Sequence, residues 1–228
     1  MNSSGIHEIV TSLPYLLKVG MTFSLTLTAL AAVFGLALGI VLALCRMSSS
    51  RLLSIPATLY VNGMRSVPLL LVIFWFYFLG PYVGAWLTGS DTPIEVGPYH
   101  SAIITFTLFE SAYFCEIMRA GIASIPTGQM NAGFALGLSY TQTMTSIVLP
   151  QALRNMTPAL LTRVITLFQD TSLVYVLSMT DFFGAASDIA SRDGSTVQMY
   201  VFAAVVYFLI CFGASRFVKR FDGALHAH

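Results

Sequence analysis

Between Lys18 and Arg46 the chain runs for 27 residues without a charged side chain, and between Asp193 and Arg216 it runs for another 22. A helix rises about 1.5 Å per residue, so about 20 apolar residues cross the hydrocarbon core of a bilayer. No water reaches that core, and each backbone N–H and C=O must find its partner inside the segment. Two such stretches in 228 residues commit the chain to a membrane. Charged residues make up 9% of it, against about 25% in a soluble domain.

The pattern predicts an all-α membrane protein with five transmembrane helices, near 20–44, 56–80, 99–119, 155–180 and 194–215. The second contains Arg65, the third Glu110 and Glu116, and the fourth Arg163 and Asp170. Basic residues gather on the inner flanks of spans. With the N-terminus outside, the inner flanks hold Arg46, Arg51, Arg119, Arg154, Arg216, Lys219 and Arg220, and the outer flanks only Lys18 and Arg192. The outer segments carry Glu8, Asp91, Glu95, Asp181, Asp188 and Asp193 instead. The expected orientation is N-out, C-in, with Trp75, Tyr77, Tyr82 and Trp86 as an aromatic belt at the outer end of the second span. Residues 1–19 form an outer segment, 20–217 the membrane domain and 218–228 an inner tail. No basic stretch precedes the first apolar residues, so a cleavable signal peptide is not expected.

Several functions are excluded by what the residues lack. Cys45, Cys115 and Cys211 lie far apart in apolar runs and read as small buried hydrophobes, with no metal site. A net charge near +1 speaks against a nucleic-acid partner. No GxxxxGK[ST], HExxH or GxSxG is present, and the lysines are Lys18 and Lys219 alone. His7, His100, His226 and His228 fall at ends or edges of elements. The glycosylation triplets at Asn2 and Asn155 are discounted, the second because it would face the cytoplasm.

Charge is missing again from Ala120 through Leu153, on the inner side. Here the chain is too rich in Gly, Thr and Gln for a lipid span. Pro126 and Gly128 break the third helix and leave Thr127 as N-cap of a short helix, Gln129 to Leu136, with Ala132, Ala135 and Leu136 on one face. Gly137 suits a left-handed C′ position. Ser139 and Gln142 have capping-box spacing and start a second short helix through Val148, which Pro150 ends or kinks. A helix pair resting on lipid headgroups would carry a Lys/Arg face. This one has none, which points to a surface covered by another protein.

Ionisable residues inside spans are costly and mark function by default. Glu116 and Arg119 stand three apart and are expected to pair. Arg163 and Asp170, seven apart, share one helical face. Arg65 precedes Pro68 by three residues, where a kink would either be structural or line a cavity.

In the uncharged segment, Asn131-Ala132-Gly133, then Gly137, then Ile147, Leu149 and Pro150, keep the two intervals of the cytoplasmic loop of ABC-importer permeases. With "YFCEIMRAGIASIPTGQ", "RSVPLLL" and "QDTSLVYVL" in register, the chain resembles the polar-amino-acid branch of that family from Gly20 to Phe221. Asn131 stands where the family has Glu, and Gly133 where it has a second Ala. The resemblance implies a multi-pass permease subunit of the bacterial inner membrane, not an enzyme, with residues 1–19 periplasmic. It implies a coupling loop at 127–150 that docks on a cytoplasmic P-loop ATPase dimer through Asn131, Ala132, Gly133, Gly137, Ile147, Leu149 and Pro150. ATP would be bound by those partners, leaving this chain without a cofactor. A second homologous permease subunit and a periplasmic amino-acid-binding protein complete the implied machine. Its implied cargo is a polar amino acid, glutamate or aspartate, with Arg65, Arg163 and Asp170 as candidate pathway residues. Arg163 would offer the cargo a permanent bidentate charge, and Asp170 would hold it between cargoes. A self-contained ion-coupled carrier would show inverted repeats and more spans, and a passive anchor would leave the intramembrane charges unexplained.

Overall fold

The computed structural model describes residues 3–226, with side chains from Ile9 to Gly223; Asn2 and His228 lie outside it, as do the side chains of His7, Glu8 and His226. All elements among the described residues are helical. Among the described residues, five runs are long and apolar enough to cross a membrane: Ile9–Met47, Leu69–Thr88, Pro98–Ala123, Tyr140–Leu177 and Thr196–Gly223.

The first run joins α1 (Ser3–Tyr15) to α2 (Thr22–Met47) through a π-helical turn, Leu16–Met21, so the helix starts well before residue 20. Along α2, Ser24, Leu27, Thr28, Ala31, Gly35, Gly39 and Ala43 are buried at helical spacing. This stripe meets α6 (Pro98–Ala123). A Cβ on Gly39 would lie 2.9 Å from Phe114 Cβ, and one on Gly35 would lie 3.0 Å from Glu110 Cβ. Lipid gives helices no hydrophobic reason to associate, so close backbone approach over small residues supplies the packing. The other side of α2 exposes Val33, Phe34, Val41 and Leu44. α6 is the central helix. Phe106 and Phe109 pack with Leu27, Val72, Ile73 and Leu167, while Phe114 and Cys115 pack with Val61, Ala152 and Met156.

The span expected at 56–80 is displaced. α3 (Arg51–Arg65) ends at Arg65, and α4 (Leu69–Phe74) begins after Pro68. Proline lacks the N–H that would continue the ladder and pushes the preceding residue out of the helical region. α4 then runs through a π-helical turn, Trp75–Leu79, into α5 (Gly80–Thr88), so the helical run long and apolar enough to cross is Leu69–Thr88. Gly89, at φ +69°, ends it in a left-handed cap.

The fourth run is longer than 155–180 at its start. After α7 (Thr127–Ala135) come α8 (Tyr140–Thr143), a π-helical turn at Met144–Val148 and α9 (Leu149–Asp170), without interruption. Pro150 therefore does not end the helix. It sits in the first turn of α9, directly after the π-turn, whose wider register accommodates a residue without an N–H. A 3-10 stretch, Thr171–Leu177, and a left-handed Ser178 (φ 57°) close the run. α10 (Phe182–Asp193) follows, an element the sequence pattern does not announce, and α11 (Thr196–His226) is the last span. Asp181 caps α10, its carboxylate accepting the N–H groups of Phe183 and Gly184, both at 3.0 Å. Phe182 N–H donates to Ser24 Oγ at 3.0 Å. α10 lies so close to the first π-turn that a Cβ on Gly20 would be 2.9 Å from Phe182 Cα. Burial pushes the Asp181 carboxyl up to about 6, against the backbone N–H bonds that favour its ionised form.

Candidate functional site

α6 and α9 bring a carboxylate and an arginine together inside the bundle. Glu110, with no exposed surface, accepts from Arg163 Nε at 2.7 Å and Nη2 at 2.5 Å. This is a bidentate pair, the strong form of charge-assisted hydrogen bond. The Tyr113 ring covers one face of the same guanidinium at 3.9 Å. Asp170, expected to be the partner of Arg163, is secondary at 3.6 Å and is 27% exposed. The reason is reach: Glu110 faces Arg163 across the helix interface, whereas Asp170 stands about 10 Å further along the same helix at 1.5 Å per residue. Glu110 was visible as a charge in the third span, but spacing within one helix does not say which helix it faces.

Glu116, two turns below Glu110 on α6, organises a second cluster. It pairs with Arg119 at 2.5 Å, as the spacing predicts, and also with Arg46 from the end of α2. Arg65 is 3.5 Å from Glu116 and 37% exposed, and its guanidinium sits 5.7 Å from the Tyr113 ring centroid. Tyr113 thus lies between Arg65 and Arg163, joining the two clusters. The arginine at the Pro68 break and the arginine of α9 are brought to one place by α6. Arg46 and Tyr113 were not singled out by sequence, because neither is unusual where it stands in its own helix.

The uncharged loop has the expected glycine turn. Gly137 has φ +79°, and the Leu138 N–H donates to the Gly133 carbonyl (3.1 Å) and the Gly137 N–H to that of Phe134 (3.0 Å), a Schellman motif. The capping box is closed at both ends, Ser139 N to Gln142 Oε1 at 2.9 Å and Gln142 N to Ser139 Oγ at 3.3 Å. Thr127 is not the cap: the N-cap is Pro126, whose carbonyl accepts the Gln129 N–H at 3.0 Å. The loop is one short helix, α7, followed by a second that merges into the fourth span. Asn131, Ala132, Gly137 and Pro150 are exposed, together with Phe134, Ala135, Leu136 and Tyr140; Ile147 and Leu149 are half-buried. Gly133 is buried, and a Cβ there would lie 2.6 Å from Thr143 Oγ1. Its small size therefore serves packing of α7 against α8, not approach to a partner.

Nothing in this arrangement forms a nucleophile–base pair or a cluster of metal ligands among the described residues. It offers fixed charges inside a bilayer and an uncharged surface at one end.

Residues 35–226 match the family described as binding-protein-dependent transport system inner membrane component. The glutamate/aspartate import permease protein GltK of Escherichia coli O157:H7 is 48% identical over 212 residues, covering 93% of this chain and 94% of that protein. The L-cystine transport system permease protein TcyB of Bacillus subtilis is 35% identical, covering 86% and 81%. Among solved structures, an amino acid ABC transporter shares the fold at a TM-score of 0.87 with 27% identity, covering 98% of this chain and all of that one. The MetNI methionine ABC transporter, at 20% identity and a TM-score of 0.63, shows the same fold. The chain belongs to the binding-protein-dependent transport system inner membrane component family, as a multi-pass permease subunit of an amino-acid ABC importer.

Proposed function

We propose that this permease carries acidic amino acids inward, with its N-terminus outside and the α7–α8 loop docked on a cytoplasmic ATPase dimer. The cargo reading draws on the name of the 48% identical GltK and on the arginines that α6 gathers. A carboxylate entering the membrane loses hydration worth several kcal/mol even after relaxation, on the order of magnitude known for buried ions, and fixed guanidinium groups offset that loss. Arg163 is already held by Glu110, so the half-exposed Arg65 is the freer fork for a cargo carboxylate, and Asp170 the acceptor for its ammonium group. A second, homologous permease covers the other side of the pathway, and an amino-acid-binding protein delivers cargo to the outer face. ATP is bound by the partner chains.

The observation that carries the coupling reading is the exposed, charge-free end of the bundle: Phe134 is 47% exposed, Leu136 77% and Tyr140 61%. Apolar side chains grouped outside the bilayer mark a protein contact. The left-handed Gly137 makes the test. Leu at φ +79° costs roughly 1–2 kcal/mol in backbone strain and adds bulk at the exposed turn. Gly137→Leu is expected to remain in the membrane at normal abundance, but to lose co-purification of the ATPase and uptake together. Normal uptake with normal ATPase recovery would exclude the loop as the coupling element.

A further inference from the structure

α9 carries a polar stripe through a membrane span. Asn155, Thr162 and Gln169 are exposed and Thr166 is half-buried, at helical spacing beside Arg163. The threonine hydroxyls are bonded within the helix, so it is the exposed Asn155 and Gln169 amides and the charge of Arg163 that favour water or a protein neighbour along this stripe. Next to it a cavity of about 450 Å³ opens between α6, α9 and α11. Its polar wall is Thr162, Arg163 and Thr166 from α9, and Lys219 and Asp222 from the inner end of α11.

The donors and acceptors of that wall differ in kind. Arg163 uses Nε and Nη2 on Glu110, and its Nη1 group makes no hydrogen bond among the described residues. Lys219 is a second cation on the same cavity, and Asp222 an anion one helical turn further on. The Thr162 and Thr166 hydroxyls donate to the carbonyls of Pro158 (2.8 Å) and Thr162 (3.2 Å), which leaves their oxygens as acceptors. Two separated cations, an anion and hydroxyl acceptors fit a small zwitterion with more than one carboxylate.

We propose that this cavity is a release site on the cytoplasmic side, in which Arg163 Nη1 and Lys219 receive the carboxylates of an acidic amino acid and Asp222 with the threonine hydroxyls receives its ammonium group. The assignment rests on the cargo and orientation readings above and adds Lys219, Asp222, Thr162 and Thr166 to the pathway. A phospholipid headgroup is the rival occupant. It would reach the Lys219 and Asp222 end of the cavity, whereas Thr166 stands 11 residues into the span expected from residue 155, about 16 Å at 1.5 Å per residue. An anionic headgroup would in addition meet Asp222 as a like charge.

The test is calorimetric titration of the complete importer, without binding protein, in nanodiscs of phosphatidylethanolamine and phosphatidylglycerol. L-glutamate and L-glutamine are the probes, and ATP-driven uptake of both is measured in parallel on proteoliposomes of the same importer supplied with its binding protein. Saturable binding of L-glutamate in preference to L-glutamine is expected, weakened at least tenfold by Lys219→Gln and by Asp222→Asn. Unchanged binding in both variants overturns the site. So does absent binding alongside intact L-glutamate uptake, and in either case the cargo reading stands. Binding seen in lipid-free detergent and abolished in the nanodiscs would assign the cavity to a headgroup and overturn it as well. Loss of the acidic preference in uptake itself would sink the cargo reading and the site together.

Discussion

Glu110 has no exposed surface, and both its oxygens are taken by Arg163. Removing one partner of such a pair strands the other charge in a poorly polarisable interior, at a cost of roughly 3–5 kcal/mol. Arg163→Gln is therefore expected to lower the thermal stability of the detergent-solubilised complex and the yield of assembled permease. Arg163→Gln with Glu110→Gln should recover assembly, whereas Arg163→Gln with Asp170→Asn should not, because Asp170 is the looser partner. Size-exclusion profiles after heating separate these cases; equal stability of the single Arg163 variant and the parent would contradict the pairing. If uptake also returns in the Glu110 double variant, Arg163 is a strut and the cargo contact lies at Arg65. The sequence showed Glu110, Arg163 and Asp170 as charges inside spans. It could not pair them, since Glu110 and Arg163 are 53 positions apart and only packing of α6 on α9 makes them neighbours.

Among the elements, the turn of the α7–α8 loop was legible because its signals are local: Gly137 is left-handed, and Ser139 with Gln142 close a capping box within one turn, whereas the helix ends at Thr127 and Pro150 were misplaced. The second span and α10 were not legible. Residues 56–80 read as one apolar run, and hydropathy does not register that Pro68 divides it. α10 is hidden because its burial against α11 and the first π-turn is tertiary. Its cap gives a pH signature. The Asp181 carboxyl stands at about 6, raised from an ordinary 3.8 by burial. Protonation thus favours the fold: the stabilising contribution is complete below pH 3.8 and is lost as pH rises through about 6. Relative to Asp181→Asn, which keeps a capping oxygen without the charge, the parent should lose melting temperature between pH 4 and about 6.5, read against the pKa of about 6. Parallel melting curves for the two proteins across that range would refute a raised Asp181.

As a whole molecule, the permease places its chemistry at two levels: paired charges around α6 in the bundle and an uncharged apolar surface at the end reached by α7 and α8. Membrane character follows from composition and from the two charge-free runs, and the span number from apolar runs that tolerate one or two charges. The pathway does not, because its walls come from helices far apart in sequence and, on the reading proposed above, from a second subunit. A permease of this kind moves cargo only when partner chains supply the free energy. The direct measurement is uptake of radiolabelled L-glutamate into proteoliposomes holding this chain with its partner permease, ATPase subunits and binding protein, beside liposomes holding this chain alone. Uptake should require ATP and the ATPase, favour L-glutamate and L-aspartate over neutral and basic amino acids, and be absent from the single-chain liposomes. Uptake by the single chain under a proton or sodium gradient, without ATP, would contradict the account.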